Sequence, residues 1–201
     1  MHMYVDVGAN DDDVVRLNFA FSGDADRRWS IKATQIPCTS TTRAPEGCLQ
    51  YFYNEVSGQF RTFNFDGVSS DGPRHLAEQD YQVCIRREFG FCCVRYRVCE
   101  DVEDAFTLDT TQNHACNEQG CLSKDFVSIP GSGAECSTVM SLKSRYCGAF
   151  LNSQTMLNAN GPICDCTLPF RVGIFTNNGP DSGGSSMLGR GLCLQFDQVT
   201  C

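Results

Sequence analysis

Arg190-Gly-Leu-Cys-Leu-Gln-Phe-Asp-Gln-Val-Thr-Cys201 closes the chain, and an earlier stretch repeats it without a gap: Arg27-Arg-Trp-Ser-Ile-Lys-Ala-Thr-Gln-Ile-Pro-Cys38. Arg27 falls on Arg190, Gln35 on Gln198 and Cys38 on Cys201. Leu192, Leu194 and Phe196 share one side of an extended chain, as do Trp29, Ile31 and Ala33 in the earlier copy. Period two is the pattern of a strand with one buried face. In both copies the apolar pattern slips by one residue before the cysteine, to Val199 or Ile36, which predicts a bulge and a common disulfide anchor. The chain is therefore read as a repeat of a β domain whose final strand is written twice, with the first copy cut short.

Composition sets the class. Of 201 residues, 41% are apolar and 14 are cysteine, which fits a folded globule rather than a disordered chain. No Cys-x-x-Cys occurs, so the cysteines read as the disulfides of an oxidised, secreted, extracellular protein. Each bridge contributes about 2–4 kcal/mol, comparable as a set with the net stability of a domain. The net charge is −8 and there is no basic run, which excludes the electrostatic footprint of a nucleic-acid binder. No apolar run approaches the ~18 residues of a membrane span. Met1-His-Met-Tyr-Val-Asp has neither the charged start nor the apolar centre of a signal peptide, so the sequence is expected to be a mature or truncated chain. No Asn-x-Ser/Thr sequon occurs, and N-glycosylation is not expected.

Strands are expected at Met3-Tyr-Val-Asp-Val7 and Val14-Val-Arg-Leu-Asn-Phe-Ala-Phe21, then at the first copy of the closing strand. The polar Thr39-Ser-Thr-Thr-Arg-Ala-Pro-Glu-Gly47 reads as a linker. This divides the chain into residues 1–38, a linker over 39–47 and a full domain over 48–201. Within that domain strands are expected at Cys48-Leu-Gln-Tyr-Phe-Tyr53, at Phe60-Arg-Thr-Phe-Asn-Phe65 with a bulge, at Tyr81 to Ile85, and at Phe89 to Val98. Further strands are expected at Asp125 to Ile129, ending at Pro130-Gly131, at Arg145 to Gly148, and at Pro169 to Thr176. Cys92 and Cys93, adjacent on one strand, point to opposite faces and so take different partners. No stretch has sustained helical periodicity beyond a single turn expected over Ser141 to Tyr146.

In this order the pieces resemble a CUB domain, specifically the divergent CUB-like repeats of secreted arthropod proteins. The resemblance rests on Gly58-Gln-Phe, Tyr81-Gln-Val-Cys-Ile-Arg86, Gly90-Phe-Cys-Cys-Val-Arg-Tyr96, Asp125-Phe-Val-Ser-Ile-Pro-Gly131, Arg145-Tyr-Cys-Gly148, Pro162-Ile-Cys-Asp-Cys-Thr-Leu-Pro-Phe170 and the closing strand. Residues 3–38 are similar to the second half of a preceding repeat. The implied fold is an all-β, disulfide-rich antiparallel β-sandwich of jelly-roll type, with a partial first repeat packed beside a complete second one. The resemblance also implies the pairs Cys48 with Cys84 and Cys121 with Cys147. Cys201 then needs a partner near the domain's start or in a neighbouring strand, and Cys38 is left without the front half of its own repeat.

Pro180-Asp-Ser-Gly-Gly184 is similar to the nucleophile loop of trypsin-like proteases, but Asn113-His-Ala-Cys116 only loosely matches the histidine segment, and 19 residues after Ser182 leave no room for the rest of that machinery. A surface loop is expected instead. His2, His75 and His114 stand apart and no pair has zinc spacing; Cys164-Asp-Cys166 is expected to reach two bridges rather than one ion. The acidic turn Asp11-Asp-Asp13 reads as solvated. Some CUB domains hold Ca²⁺, and the resemblance implies Asp109, Asp125 and Asn177 as its ligands, hard oxygens suited to that ion; Asn177 replaces an Asp and removes a charge. The expected function is that of a secreted, non-catalytic binding or adhesion module for an extracellular protein or glycan. The alternative is a structural matrix, cuticle or fibre protein that self-associates.

Overall fold

The computed structural model describes residues 2–8, 10, 12–20, 26, 28–65, 75–108, 113–121, 125–136, 143–177 and 189–201. Its strands are β1 (Cys48–Phe52), β2 (Ser57–Arg61), β3 (Asp80–Ile85), β4 (Phe91–Val98), β5 (Phe106–Thr107), β6 (Ala115–Asn117), β7 (Phe126–Ser132), β8 (Lys143–Gly148), β9 (Ile163–Asp165), β10 (Arg171–Phe175) and β11 (Gly191–Thr200). One sheet runs β1-β3-β10-β7-β8-β6 and the other β2-β11-β4-β9, with β5 added at the start of β11. A single 3-10 turn, Glu118–Cys121, is the one helical piece among the described residues.

The closing strand β11 lies between β2 and β4 and is hydrogen-bonded on both sides. Leu192, Leu194 and Phe196 turn inward and meet Phe60, Val94 and Tyr96 of their own sheet and Val83, Val127, Val172 and Ile174 of the other. The expected bulge is present, between Val199 and Thr200. The apolar slip itself has another cause: Gln198 keeps the buried phase while Val199 is half-buried. The Gln198 side chain donates to the carbonyls of Glu55 (2.8 Å) and Arg86 (3.0 Å) and accepts from the Glu88 N–H (2.9 Å). One amide thus satisfies the β1–β2 and β3–β4 turns, where a hydrocarbon would leave buried donors and acceptors unmade.

Two disulfides fasten β11 to β4 at opposite ends, Cys99–Cys193 and Cys92–Cys201. Cys93 joins Cys166, so the adjacent cysteines do take different partners. Cys48–Cys84 ties β1 to β3, Cys121–Cys147 ties the 3-10 turn to β8, and Cys136–Cys164 ties the residues after β7 to β9. Cys38, exposed, and Cys116, buried opposite Cys147, lie outside these bridges. Gly191 opens β11 with φ +105°, and a Cβ there would stand 2.1 Å from Thr62 Oγ1; glycine alone fits.

Several local expectations differ from the structure. β1 and β3 run parallel, because the chain leaves β1 for β2 in the opposite sheet before returning. β2 ends at Arg61, and Phe63 and Phe65 reach the interior from a turn rather than from a bulged strand. β7 continues through Pro130-Gly131, with its pairing to β8 irregular between Ser128 and Ser132, as Pro in a strand requires. Lys143 to Tyr146 form strand β8 rather than a helical turn.

The largest difference concerns the first copy. Among the described residues of 2–38 no strand forms, and Met3, Val5, Val7, Leu17, Phe19, Trp29 and Ile31 are all exposed. Alternation specifies which face a strand would bury, but a strand needs a ladder partner and an opposing sheet to form. Among the contacts of this segment, Tyr4 N donates to Leu49 O at 2.8 Å and Gly47 N to Asp6 Oδ2 at 3.3 Å. The linker also docks, with Ala44 buried against the Cys48–Cys84 bridge.

Candidate functional site

Two places on the sandwich carry unusual polar geometry. The first is the end where β7 and β10 meet. Their register sets Phe175 opposite Phe126, so Asp125, just before β7, stands beside Asn177, just after β10. Asp125 is 2% exposed. Its Oδ1 accepts the Asn177 backbone N–H at 2.7 Å, and its Oδ2 lies 3.0 Å from Nε2 of His75. The other ring nitrogen, Nδ1, lies 3.3 Å from the Leu76 carbonyl. Thr176 Oγ1 donates to the same carbonyl at 2.7 Å and accepts from Gln79 N at 2.8 Å. The 75–79 segment is thereby laced to the end of β10.

Of the three residues implied for calcium, Asp109 lies outside the described residues. Asp125 and Asn177 are brought together, but Asn177 presents its backbone N–H to the carboxylate. Ca²⁺ requires about six to eight oxygen ligands. Here the two Asp125 oxygens face nitrogen, one on Asn177 and one on His75. Cys93, Cys164 and Cys166 have sulfurs within 4.8 Å of one another, yet each is in a disulfide and offers no thiolate. The Ser182 loop lies outside the described residues. No helix among the described residues is long and apolar enough to cross a membrane.

A second place is a cleft of about 290 Å³ between the edge strands β1 and β2, lined by Gln50, Tyr51, Gln59 and Arg61 together with His2 and Tyr4. Phe52 O accepts from Arg86 N at 2.8 Å, on the β3 side. Successive residues of a strand present their backbone groups to opposite sides, so Leu49 and Tyr51 face away from β3. Thr62 N likewise donates to Leu192 O, which turns the backbone of Gln59 and Arg61 away from β11. Two strand edges thus flank one cleft, and Tyr4 already occupies Leu49.

Tyr4 and Tyr51 of the cleft lining belong to a run of adjoining aromatic rings. Tyr4 meets Tyr51 edge-on at 6.0 Å, Tyr51 meets Tyr53 at 5.5 Å, and the Arg86 guanidinium lies 5.7 Å from the Tyr53 ring. Partial burial pushes the Tyr4 and Tyr51 hydroxyls above their usual range. Sequence reading missed both His75 and this cleft. His75 is far from Asp125 in the chain, and the tyrosines were read only as strand residues.

A buried carboxylate completes the polar inventory. Asp165 on β9 is 1% exposed; its Oδ1 accepts from Thr167 N at 2.6 Å, while Oδ2 and the hydroxyl of nearby Tyr96 have no hydrogen-bond partner. Burial raises the Asp165 carboxyl to about 6.

Among curated proteins none matches the chain. A family model does, that of the animal CUB domain, over residues 45–199, a span that holds β1 to β10 and all but the last residue of β11. Domains of this kind are in general non-catalytic binding modules of extracellular proteins, a setting that suits six disulfides. With its two packed sheets and its disulfide-fastened closing strand, the chain belongs to the animal CUB domain family.

Proposed function

We propose that the domain is a secreted binding module that engages an extracellular protein or glycan through the cleft between β1 and β2. The observation that carries this reading is the pair of outward-facing strand edges flanking a tyrosine-lined opening. Exposed strand edges accept extended segments by backbone pairing, and tyrosine supplies contact area with one polar end at low entropic cost. At Leu49 the edge carbonyl accepts a backbone N–H from outside the sheet, that of Tyr4. In this reading the cleft binds and does not catalyse.

The test is retention of a partner from extracellular extract by the full chain and by the variant Tyr51→Ala/Gln59→Ala. The double variant is expected to lose the partner while unfolding at the same temperature. Equal retention by both would break the assignment to this cleft. One observation favours the second reading, self-association into a structural assembly: among the described residues, ten of the sixteen exposed large apolar side chains lie between Met3 and Ile36, and exposed apolar surface of that kind marks interaction sites. Light scattering that rises with concentration, with no partner retained, would select it.

A further inference from the structure

Residues 2–7 meet the β1 edge in one direction and one register. Tyr4 N donates to Leu49 O at 2.8 Å, and Asp6 Oδ2 accepts from Gly47 N at 3.3 Å. Residue numbers rise along one segment as they fall along the other, so the two run antiparallel. The side that the segment turns to the domain is its polar one. Tyr4 is half-buried against Tyr51 and the Cys48–Cys84 bridge, and His2 lines the same cleft. Met3, Val5 and Val7 are 58%, 53% and 59% exposed. Successive side chains of an extended chain point to opposite sides, and hydrophobic burial alone would turn the apolar set inward. The reverse is found, so the edge selects a phenol ring and a carboxylate over hydrocarbon.

We propose that the β1 edge is a peptide site: it takes an extended protein segment antiparallel to β1, with an aromatic ring and a carboxylate two residues after it, and residues 4–6 occupy it within the same chain. The inference rests on the reading of the cleft as the binding site and narrows its ligand to a peptide. Three features of the edge set the pattern. Leu49 O fixes the register by taking a backbone N–H, and Tyr51 receives the ring edge-on at 6.0 Å. Gly47, with φ +79°, precedes β1 and turns its N–H to the carboxylate, a donor that favours a charged acceptor. Leu49 and Gly47 are two residues apart, as are Tyr4 and Asp6, so the edge itself spaces ring from carboxylate. Residues 2–7 form no strand, and a partner that pairs with more of the edge displaces them.

The test uses the full chain carrying Tyr4→Ala/Asp6→Ala, which empties the edge, and a synthetic peptide of residues 2–7 as the probe. Titration is followed in ¹⁵N–¹H spectra at the amides of Gly47, Leu49 and Tyr51. The peptide is expected to shift these amides in the variant and to bind the wild-type chain more weakly, because the tethered segment competes at high effective concentration. A peptide with the same two alanines is expected to bind the variant about tenfold more weakly, the loss of one hydrogen bond and one ring contact. No shift at millimolar peptide, equal binding of the two peptides, or equal binding to variant and wild type overturns the proposal. A partner whose retention depends on Tyr51 and Gln59, survives protease treatment of the extract and is lost after glycosidase treatment leaves the cleft as the binding site and overturns the peptide.

Discussion

Residues 27–38 and 190–201 carry one pattern and reach opposite ends in the same molecule. The later copy is the central strand of a sheet, with Leu192, Leu194 and Phe196 fully buried; in the earlier copy Trp29 and Ile31 are more than half exposed. What separates them is the company each keeps. The matched residues of the later copy are its fasteners. Arg190 donates to the carbonyls of Phe65 (3.2 Å) and Glu103 (2.6 Å) and stacks on the Phe65 ring at 4.4 Å. Gln198 serves two turns, and Cys201 bridges to Cys92. The substitutions between the copies are equally informative. Gly191, whose φ of +105° and close approach to Thr62 admit only glycine, is replaced by Arg28, and Cys193 by Ser30. A strand's pattern and its fasteners are separate pieces of information, and the earlier copy keeps the first with only part of the second.

The comparison breaks most readily at its apolar residues. Phe196→Ala, which empties a site packed against Phe52, is expected to destabilise by about 4 kcal/mol in urea unfolding. Trp29→Ala, which removes an exposed side chain stacked on Phe19, should change stability by less than about 0.5 kcal/mol. Similar losses would mean that the first copy is as buried as the second. At the cysteines, the paired change Cys92→Ser/Cys201→Ser is expected to cost about 3 kcal/mol, whereas Cys38→Ser leaves the unfolding midpoint unchanged. A midpoint that drops with Cys38→Ser would show that this thiol has a structural partner.

A smaller effect assigns pH dependence to the sandwich. Asp165 has its carboxyl raised to about 6 by burial, so the folded state binds its proton more tightly than the unfolded chain. Its contribution to stability is therefore fully present below the ordinary carboxylate range near pH 4 and is lost as pH rises through about 6. Asp165→Asn should remove this slope, making the variant more stable than the wild type at pH 7 by about 2 kcal/mol and no more stable at pH 4. Parallel slopes for the two proteins in urea unfolding would assign the titration to another group.

Much of the fold was legible where a period-two pattern met a true sheet. Phe170, Val172 and Ile174 alternate inward on β10 as their spacing required, and Cys92 and Cys93 diverge because neighbours on a strand point to opposite faces. The pattern misled where burial came without a ladder, as at Phe63 and Phe65, which fill the interior from a turn. It misled again among the described residues of 3–36, where the alternation forms no strand. At the candidate sites, the approach of Asp125 to Asn177 followed from the resemblance, since strand order fixes which strand ends are neighbours. His75 had no such signal. Its contact with Asp125 comes from a segment packed against the end of β10, and no local spacing encodes that meeting.

The bridges also decide how the domain carries load. A pull that enters at residue 45 and leaves at Cys201 runs from Cys48 through its disulfide to Cys84, along the chain to Cys92, and through the second disulfide to Cys201. Everything from β5 to β11 hangs as a closed loop outside that path. Only the short stretch between Cys84 and Cys92 can lengthen, reaching about 30 Å when fully drawn out. Under tension the domain behaves as a short, nearly inextensible link, and the cross-sheet core that holds it together at rest is scarcely loaded.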